Sequence, residues 1–179
     1  MKIGVIGGGR VGGALAATWS ERGHDVIVST RESVADTVAA SDVIVLATPA
    51  SAAADVLAAG RSTIGGKVVV DATNNLSGGP SAADIAALAP SARFVKAFNT
   101  VFATFMHDTP ASPPASLVFC GDDAGAKETV ATLIADAGFE PVDAGGAEST
   151  PLLEAFARLV IGLAYAQGRG PFVYRFRSR

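Results

Sequence analysis

Cysteine and histidine are scarce in this chain of 179 residues, which has one cysteine and two histidines. Cys120 ends the apolar run SLVFC, a pattern typical of a buried strand. One cysteine cannot form an internal disulfide or, alone, a metal site, so we expect neither. The composition favours a reducing, cytoplasmic environment.

Positive charge is also limited, because 14 lysines and arginines against 17 aspartates and glutamates give a formal net charge of -3. Without a broad positive field, no nucleic-acid partner is expected. The longest apolar run, LLEAFARLVIGLAYA, is too short for a bilayer and has Glu154 and Arg158 at the spacing of a helical ion pair. The chain begins MKIGVIGGG where a signal peptide would need an apolar stretch. We therefore expect neither a membrane partner nor export.

Hydrophobic residues make up 49% of the chain and charged residues 17%, which predicts one well-buried domain over residues 1–179. β-branched runs alternate with alanine-rich helical stretches, which predicts an α/β fold with a mainly parallel sheet covered on both faces. Ser33 with Asp36 and Ser81 with Asp84 have the spacing of capping boxes at helix starts. The predicted strands are KIGVI, DVIVST, DVIVLAT, KVVVDAT, RFVKAF, SLVFCG and FEPVDA.

The stretch GGGRVG at residues 7–12 matches the pattern G-x-G-x-x-G through Gly7, Gly9 and Gly12. It follows the first strand and opens a helix, which is the βαβ context in which such a turn binds the pyrophosphate of a dinucleotide. Arg10, next to Val11 in the first helical turn, is unfavourable there unless an anion offsets its charge. The motif favours a doubly wound, Rossmann-like fold. An ordinary glycine-rich turn with a solvent-facing Arg10 is the alternative.

The second strand ends in Ser29, Thr30 and Arg31. An NAD-binding protein has a carboxylate for the ribose 2′-hydroxyl there, about 20 residues beyond the glycine motif. Hydroxyl groups beside a guanidinium suit a 2′-phosphate, which an aspartate would repel, so the expected cofactor is NADP. Glu32 follows, and we expect it to turn to solvent or to cap the next helix. The alternative is that Thr30 and Arg31 only decorate a loop.

The ligand crevice of such a sheet lies at the carboxyl ends of its strands, which here read ATPAS, DATNN and FNTVF. These ends carry amides and hydroxyls and no histidine. Hydride transfer between two ring cofactors needs alignment more than a strong acid or base, so the crevice suits that reaction better than reduction of a small carbonyl compound. Asn99, which ends a strand on this side, is the favoured polar contact, and a role as a turn residue is the alternative.

Three further polar residues are interpreted as structural. Lys96 would extend its amine to the end of the sheet, His24 lies in the surface turn ERGHD, and His107 is expected to be solvated. Proton donation by Lys96 and approach of His107 to the crevice are the alternatives.

The chain contains the stretches IGGGRVGGALA, GHDVIVSTRES, DVIVLATP, VKAFNT, CGDD, PVDAGG and GRGPFVYRF. Together they resemble the F420H2:NADP oxidoreductases, which use the deazaflavin coenzyme F420, and the related cytosolic domains of the STEAP metalloreductases. The resemblance implies hydride exchange between NADPH and F420, with Thr30 and Arg31 at the 2′-phosphate. It also implies that the ring systems stack near Thr48, Pro49, Asn74 and Asn99.

One segment departs from this family. Between Arg31 and Asp42 there is room for one short helix, whereas a full Rossmann half has a helix, a strand and another helix there. We expect a shortened first half without its edge strand and with a more open adenine side. The stretch KAFNTVFA also differs from the reaction centre of the F420 enzymes, so the second substrate could be F420 or a flavin.

Two classes of function follow. The first is an NADPH-dependent oxidoreductase whose second substrate is a small redox molecule: F420, a flavin, or a metal ion reduced through a flavin as in the STEAP relatives. The second is an NADP-binding regulatory or scaffold protein without turnover. The polar crevice favours the enzyme, and the lack of an acid or base in it keeps the second class open.

Two patterns lie near the end of the chain. Leu152, Phe156, Leu159 and Leu163 form an apolar stripe on the last helix, widened by its neighbours, which predicts a homodimer built around this helix. The tail GRGPFVYRFRSR alternates aromatic residues with arginines, which predicts a half-buried strand or extended arm. Its arginines could pair with the acidic tail of F420, and a solvated basic terminus is the alternative.

Overall fold

The computed structural model of the protein describes residues 1–75, 79–107 and 113–177, and these residues form seven strands in two parallel sheets. All seven predicted strands are confirmed, and they are β1 (Lys2–Ile6), β2 (Asp25–Ser29), β3 (Val43–Leu46), β4 (Val68–Asp71), β5 (Arg93–Lys96), β6 (Ser116–Phe119) and β7 (Glu140–Asp143). The main sheet has the order β2-β1-β3-β4-β5, and β6 pairs with β7. An isolated antiparallel bridge between Lys96 and Cys120 links the two sheets.

Helices lie between the strands, as the α/β prediction requires. They are α1 (Arg10–Glu21), α2 (Val34–Ala40), α3 (Ala53–Ala59), α4 (Ala82–Ala87), α5 (Ala124–Asp136) and α6 (Thr150–Ile161). α6 continues into a wider, π-helical turn over Gly162–Ala166. Across the described ranges, every helix is too short or too polar to cross a membrane.

Helices cover both faces of the main sheet because strand side chains alternate between two buried cores. In β3, Val43 and Val45 join the core beside α1 and α5, whereas Ile44 and Leu46 join the core beside α2, α3 and α4. This two-sided burial explains the continuous β-branched runs of the sequence. The first core also contains Leu117 of β6, so the two sheets share it. We propose on this basis that residues 1–179 form one domain.

The first half of the fold is short, as predicted. In the described chain, α2 is the one element between β2 and β3, and β2 is an edge of the sheet. Ile27 and Val28 are 37% and 44% exposed along this edge. A third strand would cover them in a full Rossmann half, so the end of β2 is more open than in that fold.

One of the two predicted capping boxes is confirmed. At the start of α4, the Asp84 amide donates to Ser81 Oγ at 3.2 Å, and the Ser81 amide donates to Asp84 Oδ2 at 2.9 Å. Hydrogen bonds from the Ser81 hydroxyl and amide lower the pKa of Asp84. The capping box at Ser33 is wrong, because its hydroxyl turns back and accepts from the Thr30 amide at 2.9 Å.

A buried ion-pair network joins α6 to the main sheet. Lys96 Nζ donates to Asp71 Oδ2 at 3.0 Å and to the Thr73 carbonyl oxygen at 2.6 Å, and Glu154 Oε1 lies 3.8 Å away. The predicted pair between Glu154 and Arg158 is therefore wrong, because the Glu154 carboxylate turns inward. The amine of Lys96 does reach the end of the sheet, in a structural role, and is buried there.

Replacing the buried lysine should be costly. In Lys96→Met, the Asp71 and Glu154 carboxylates would lose the cation between them, so the free energy of unfolding should fall by about 3–5 kcal/mol. Urea denaturation at neutral pH measures this loss. Lys127→Met is the matched control, because Lys127 pairs with Asp143 at 3.0 Å near the surface and should cost about 1 kcal/mol or less. Equal losses in the two variants would contradict a special role for Lys96.

Candidate functional site

The three glycines of the motif differ in how much space surrounds them. Gly7 has a φ of 110°, and a Cβ there would lie 2.6 Å from the Ala47 carbonyl oxygen. A Cβ on Gly12 would lie 1.9 Å from the Gly7 carbonyl oxygen, whereas one on Gly9 would meet nothing within 4 Å. A tight turn, close packing of helix on strand, and open space for a ligand are the three roles of glycines in a dinucleotide-binding turn.

The N-terminus of α1 is open to an anionic ligand. Gly9 is the N-cap residue, no side chain caps the helix, and the first turn contains no acidic residue. Free amides and the helix dipole favour a negative charge at such a terminus. Arg10 is exposed in the same turn. The residues present therefore fit the pyrophosphate of a dinucleotide.

The loop after β2 uses some of its polar groups internally. Ser29 is buried, and its hydroxyl donates to the Thr30 carbonyl oxygen at 2.6 Å. Thr30 and Arg31 are exposed. Glu32 is exposed, as expected, but it does not cap α2. Its own amide and the Thr30 hydroxyl donate to its carboxylate and lower the pKa of Glu32, so a negative charge lies beside Thr30.

A cavity of about 580 Å³ lies between the first turn of α1, the ends of β4 and β5, and α6. This volume is within the range of small-molecule sites, about 300–1,000 Å³. The glycine motif contributes Arg10 and Val11 to its wall. The remaining wall is polar at Asn74, Asn99, Thr100 and Thr104 and otherwise consists of Val101, Phe102, Ala103, Ala157, Val160, Ile161 and Tyr165.

Asn74 and Asn99 form a reciprocal pair at the end of the sheet. Asn74 Nδ2 donates to the Asn99 carbonyl oxygen at 3.0 Å, and Asn99 Nδ2 donates to Asn74 Oδ1 at 3.4 Å. Phe98, immediately before, has a φ of 65°, a conformation that costs a non-glycine residue about 1–3 kcal/mol. Its buried ring packs edge-to-face against Trp19, with ring centroids 5.6 Å apart, which holds the strained backbone in place.

Buried oxygen atoms without a hydrogen-bond partner concentrate at this edge. In the part of the chain that the structure describes, they are Thr48 Oγ1, Asn75 Oδ1 and Asn99 Oδ1. These residues follow β3, β4 and β5, whose ends are aligned because the strands pair in parallel. A buried oxygen left unpaired costs about 1–3 kcal/mol, and such groups in native proteins call for a partner.

The C-terminal arm contributes a residue, Tyr174, that contacts the wall of the cavity from outside. Residues 172–177 run along β6, where Ser116 N donates to the Tyr174 carbonyl oxygen at 2.9 Å, so the predicted half-buried arm agrees with the structure. The Tyr174 hydroxyl lies 2.6 Å from Thr100 Oγ1, and burial raises the pKa of Tyr174. The alternation of aromatic residues in the sequence predicted a half-buried arm, but it could not predict that Tyr174 contacts Thr100.

The structure brings some of the predicted site residues to the cavity and places the others elsewhere. Those that line the cavity are Arg10, Val11, Asn74 and Asn99. Thr48 and Pro49 follow β3 and lie outside the cavity, with Thr48 Cγ2 against the glycine turn. The loop from Ser29 to Arg31 lies at the far edge of the sheet, beyond β1. An elongated ligand is needed to contact both regions.

Three basic side chains lie away from the cavity. His24 Nε2 is 2.9 Å from Asp136 Oδ2, and His107 Nε2 is 3.2 Å from Glu21 Oε1. Arg175 of the arm pairs with a carboxylate of β7 at 3.5 Å. His24 was expected to lie outside the crevice, and His107 was expected to be solvated. Both expectations agree with these contacts, because His107 pairs with Glu21 at the surface.

The sequence of the chain is similar to a protein family and to a known metalloreductase. Residues 2–37 and 30–75 match the family model for NADP oxidoreductase, coenzyme F420-dependent. Rat metalloreductase STEAP3 is 29% identical over 175 residues, which cover 86% of this chain and 36% of that protein. The chain thus spans little more than a third of this relative.

Solved structures share the whole fold. A protein from Arthrobacter sp. FB24, provisionally assigned as an F420-dependent NADP reductase, is 27% identical and superposes with a TM-score of 0.89 over 99% of this chain and 100% of that chain. A reductive aminase from Aspergillus terreus, solved with NADPH and ethyl levulinate, is 20% identical with a TM-score of 0.71 over 94% of this chain and 62% of that chain, which shows the fold alone. The family model matches the part of the chain that holds the glycine turn, and in that part and in its overall fold the chain is similar to the coenzyme F420-dependent NADP oxidoreductases.

Proposed function

We propose that this protein transfers hydride between NADPH and a second ring substrate, either the deazaflavin coenzyme F420 or a flavin. The proposal rests on the cavity, because its wall begins at Arg10 and Val11 of the glycine motif and continues to Asn74 and Asn99. A planar ring in this cavity would lie beside a dinucleotide bound at the glycine turn. Such proximity is the main requirement for hydride transfer between two cofactors, since NADPH, when bound, supplies the hydride itself.

The residues of the chain would bind and align the two molecules. Gly9 leaves room for the pyrophosphate at the N-terminus of α1, where Gly7 and Gly12 allow the tight turn and the close packing of the helix, and Thr30 with Arg31 would contact the 2′-phosphate. On the substrate side, the apolar residues of α6 exclude water and the amides of the strand ends orient the ring. No carboxylate or imidazole is among the described residues that line the cavity. Alignment, and not acid or base catalysis, is therefore the proposed contribution of this wall.

A second candidate is reduction of a ferric ion through a flavin. The rat relative is named a metalloreductase, and a flavin in the cavity could pass electrons to a metal substrate. Binding of NADP without turnover, in a regulatory or scaffold role, is the remaining alternative. We also propose a cytoplasmic location, which the single free cysteine, Cys120, is compatible with.

We also propose a homodimer through α6. Leu153, Ala157 and Val160 face the protein interior, whereas Leu152 and Leu159 on the other side are 69% and 56% exposed. Large apolar side chains on one exposed helix face are typical of an interface. A second copy with the same face would bury both sets symmetrically.

Turnover tests the proposed function directly. With NADPH in excess, anaerobic addition of oxidised F420, FMN or FAD should give loss of the deazaflavin or flavin absorbance. Gly9→Glu should abolish it, because the new side chain has open space but brings a negative charge to the N-terminus of α1. Circular dichroism would verify that this variant is folded. If NADPH binds and none of the three acceptors is reduced, the regulatory alternative is favoured.

Cofactor choice should depend on the loop after β2. Arg31→Ala should weaken NADPH binding by about 1.5–3 kcal/mol, the scale of a charged hydrogen bond, and leave NADH binding unchanged. Glu32→Gln should tighten NADPH, because the carboxylate beside Thr30 repels a phosphate. Fluorescence titrations with both cofactors measure these effects. An equal loss of NADPH and NADH in Arg31→Ala would show that Arg31 supports the fold instead.

The oligomeric state should depend on the exposed face of α6. Light scattering at micromolar concentration should give twice the 18.0 kDa mass of the chain, and Leu159→Glu should give the monomer. Leu88→Glu is the control, because Leu88 is also exposed, at 46%, but lies at the end of α4. A monomeric native protein would remove the proposal, as would equal dissociation by both substitutions.

A further inference from the structure

The outer edge of β2 carries main-chain groups that no other part of the described chain uses. The Asp25 amide donates to the Met1 carbonyl oxygen at 3.0 Å, and the direction of such bonds alternates along a strand. The main-chain groups of Val26 and Val28 therefore point away from β1, and no hydrogen bond from another described residue reaches them. The free edge ends after Val28, because the next outward amide, that of Thr30, is bonded within its own loop.

The side chains along this edge are apolar and exposed. Ile27 is 37% and Val28 is 44% exposed, and the stretch from Val26 to Val28 contains no charged residue. Natural sheets normally protect an outer strand with charges, prolines or a covering element, because an open apolar edge binds further strands. Across the described ranges, the strand that covers β2 in a full Rossmann half is absent. The edge thus has a place for one more strand.

The sequence of β2 is complementary to a second copy of itself in the antiparallel direction. With Ile27 opposite Ile27 of the partner subunit, Val26 lies opposite Val28 on both sides of a two-fold axis. The residues with outward main-chain groups then form the hydrogen-bonded pairs, each of which exchanges both bonds. Asp25, at the start of one strand, meets Ser29 at the end of the other. No like charges are opposed along the paired strands.

The antiparallel direction also brings opposite charges together. It places the turn that precedes one β2 beside the loop that follows the other. The turn carries Arg22, which is exposed and forms no ion pair with a described residue. The loop carries Glu32, an exposed carboxylate that is held beside Thr30 and repels a phosphate. The partner's Arg22 would compensate this charge at the place proposed for the 2′-phosphate.

We propose that two copies of this chain pair through β2 when NADP(H) is bound, and that Arg22 of the partner subunit completes the 2′-phosphate site. The inference rests on the proposed function, because that function places the phosphate at Thr30 and Arg31. The occupant of the edge is thus a second copy of the chain, and the contact is separate from the exposed face of α6.

The faces of the paired strands keep acids away from the phosphate. Val28 lies on the face of the glycine turn, because a Cβ on Gly8 would be 3.3 Å from Val28 Cγ1. Side chains alternate along a strand, so the Asp25 carboxylate projects to the other face. The acid that precedes Arg22 is held by His107, whose Nε2 is 3.2 Å from it. Arg22 can therefore approach the phosphate with no unpaired acid beside it.

Binding of the cofactor and pairing of the copies are linked. The charges of Arg31 and Glu32 cancel, so a bound 2′-phosphate gives the loop an excess of about two negative charges. The partner's Arg22 meets this excess only in the pair, and a ligand that binds the pair more tightly than the single chain also stabilises the pair. The free edge is short, so the pair should be weak without the phosphate. NAD, which lacks the phosphate, should not support it.

Mass measurements with each cofactor test this pairing. Leu159→Glu removes the contact through α6, so without cofactor this variant should have the 18.0 kDa mass of one chain. Saturating NADP⁺ should double that mass in light scattering, and saturating NAD⁺ should leave it unchanged. In the native protein, NADP⁺ should likewise raise the mass at least twofold, which keeps the test independent of that substitution.

Two further substitutions, each made in the Leu159→Glu chain, assign the effect to the edge and to the arginine. Ile27→Lys places like charges opposite each other at the two-fold axis, so NADP⁺ should bind without doubling the mass. Arg22→Ala should weaken NADP⁺ binding about tenfold and leave NAD⁺ binding unchanged. Arg61→Ala is the matched control, because Arg61 is also exposed but follows α3. In a chain that already carries Ile27→Lys, the further loss of Arg22 should have no effect, because Arg22 acts across the pair.

Several results would overturn the proposal. A chain that binds NADP⁺ without a change of mass removes the pairing, and a mass that doubles equally with NAD⁺ removes the role of the phosphate. A weakening by Arg22→Ala that persists beside Ile27→Lys places Arg22 in the site of its own subunit. The proposed function fails separately: pairing with NADP⁺ but reduction of no acceptor contradicts the oxidoreductase alone. Turnover by a chain whose mass does not change contradicts the pairing alone.

Discussion

The layout of the candidate site depends on one buried charge. Lys96 is 3% exposed, and carboxylates of β4 and α6 lie 3.0 and 3.8 Å from its amine. A buried cation is tolerated only where anions and hydrogen bonds compensate it, so the ends of β4 and β5 and the first part of α6 must meet at this point. Asn74 and Asn99 lie on the loops that leave it. Their mutual hydrogen bonds, and the distance between the sheet and the α6 wall, follow from that constraint.

The two ends of the site are built differently. At the glycine turn, residues close in the sequence pack so tightly that a backbone atom lies where a side chain would be. The Gly7 carbonyl oxygen does so at Gly12. At the cavity, side chains from α6 and from residues 101–104 face the strand ends, and no local rule determines their approach. A family that keeps the first end and varies the second can retain one cofactor and change its substrate.

Sequence patterns predicted the features that depend on local or periodic information. The strands were predictable because alternate residues of each one enter different cores, as Val43 and Ile44 do. The shortened half was predictable from chain length alone. The partners of polar side chains were not predictable, because Ser33 and Glu154 each have a plausible partner in the following helical turn but interact with another residue. Ser33 accepts from Thr30, which precedes it, and Glu154 lies near Lys96, which is distant in the chain. Asn99 could be proposed from its position at a strand end, but its unpaired oxygen could not.

The hydrogen bonds that join α6 and the C-terminal arm to the rest of the protein affect the order in which the chain folds. They join residues far apart in the chain, namely Thr100 with Tyr174, Asn99 with Leu153 and Ala82 with Glu154, at separations of 74, 54 and 72 residues. Closing such long loops is slow, whereas the close contacts of the glycine turn reach no further along the chain than Thr48, so the glycine turn can form before α6 and the arm are in place.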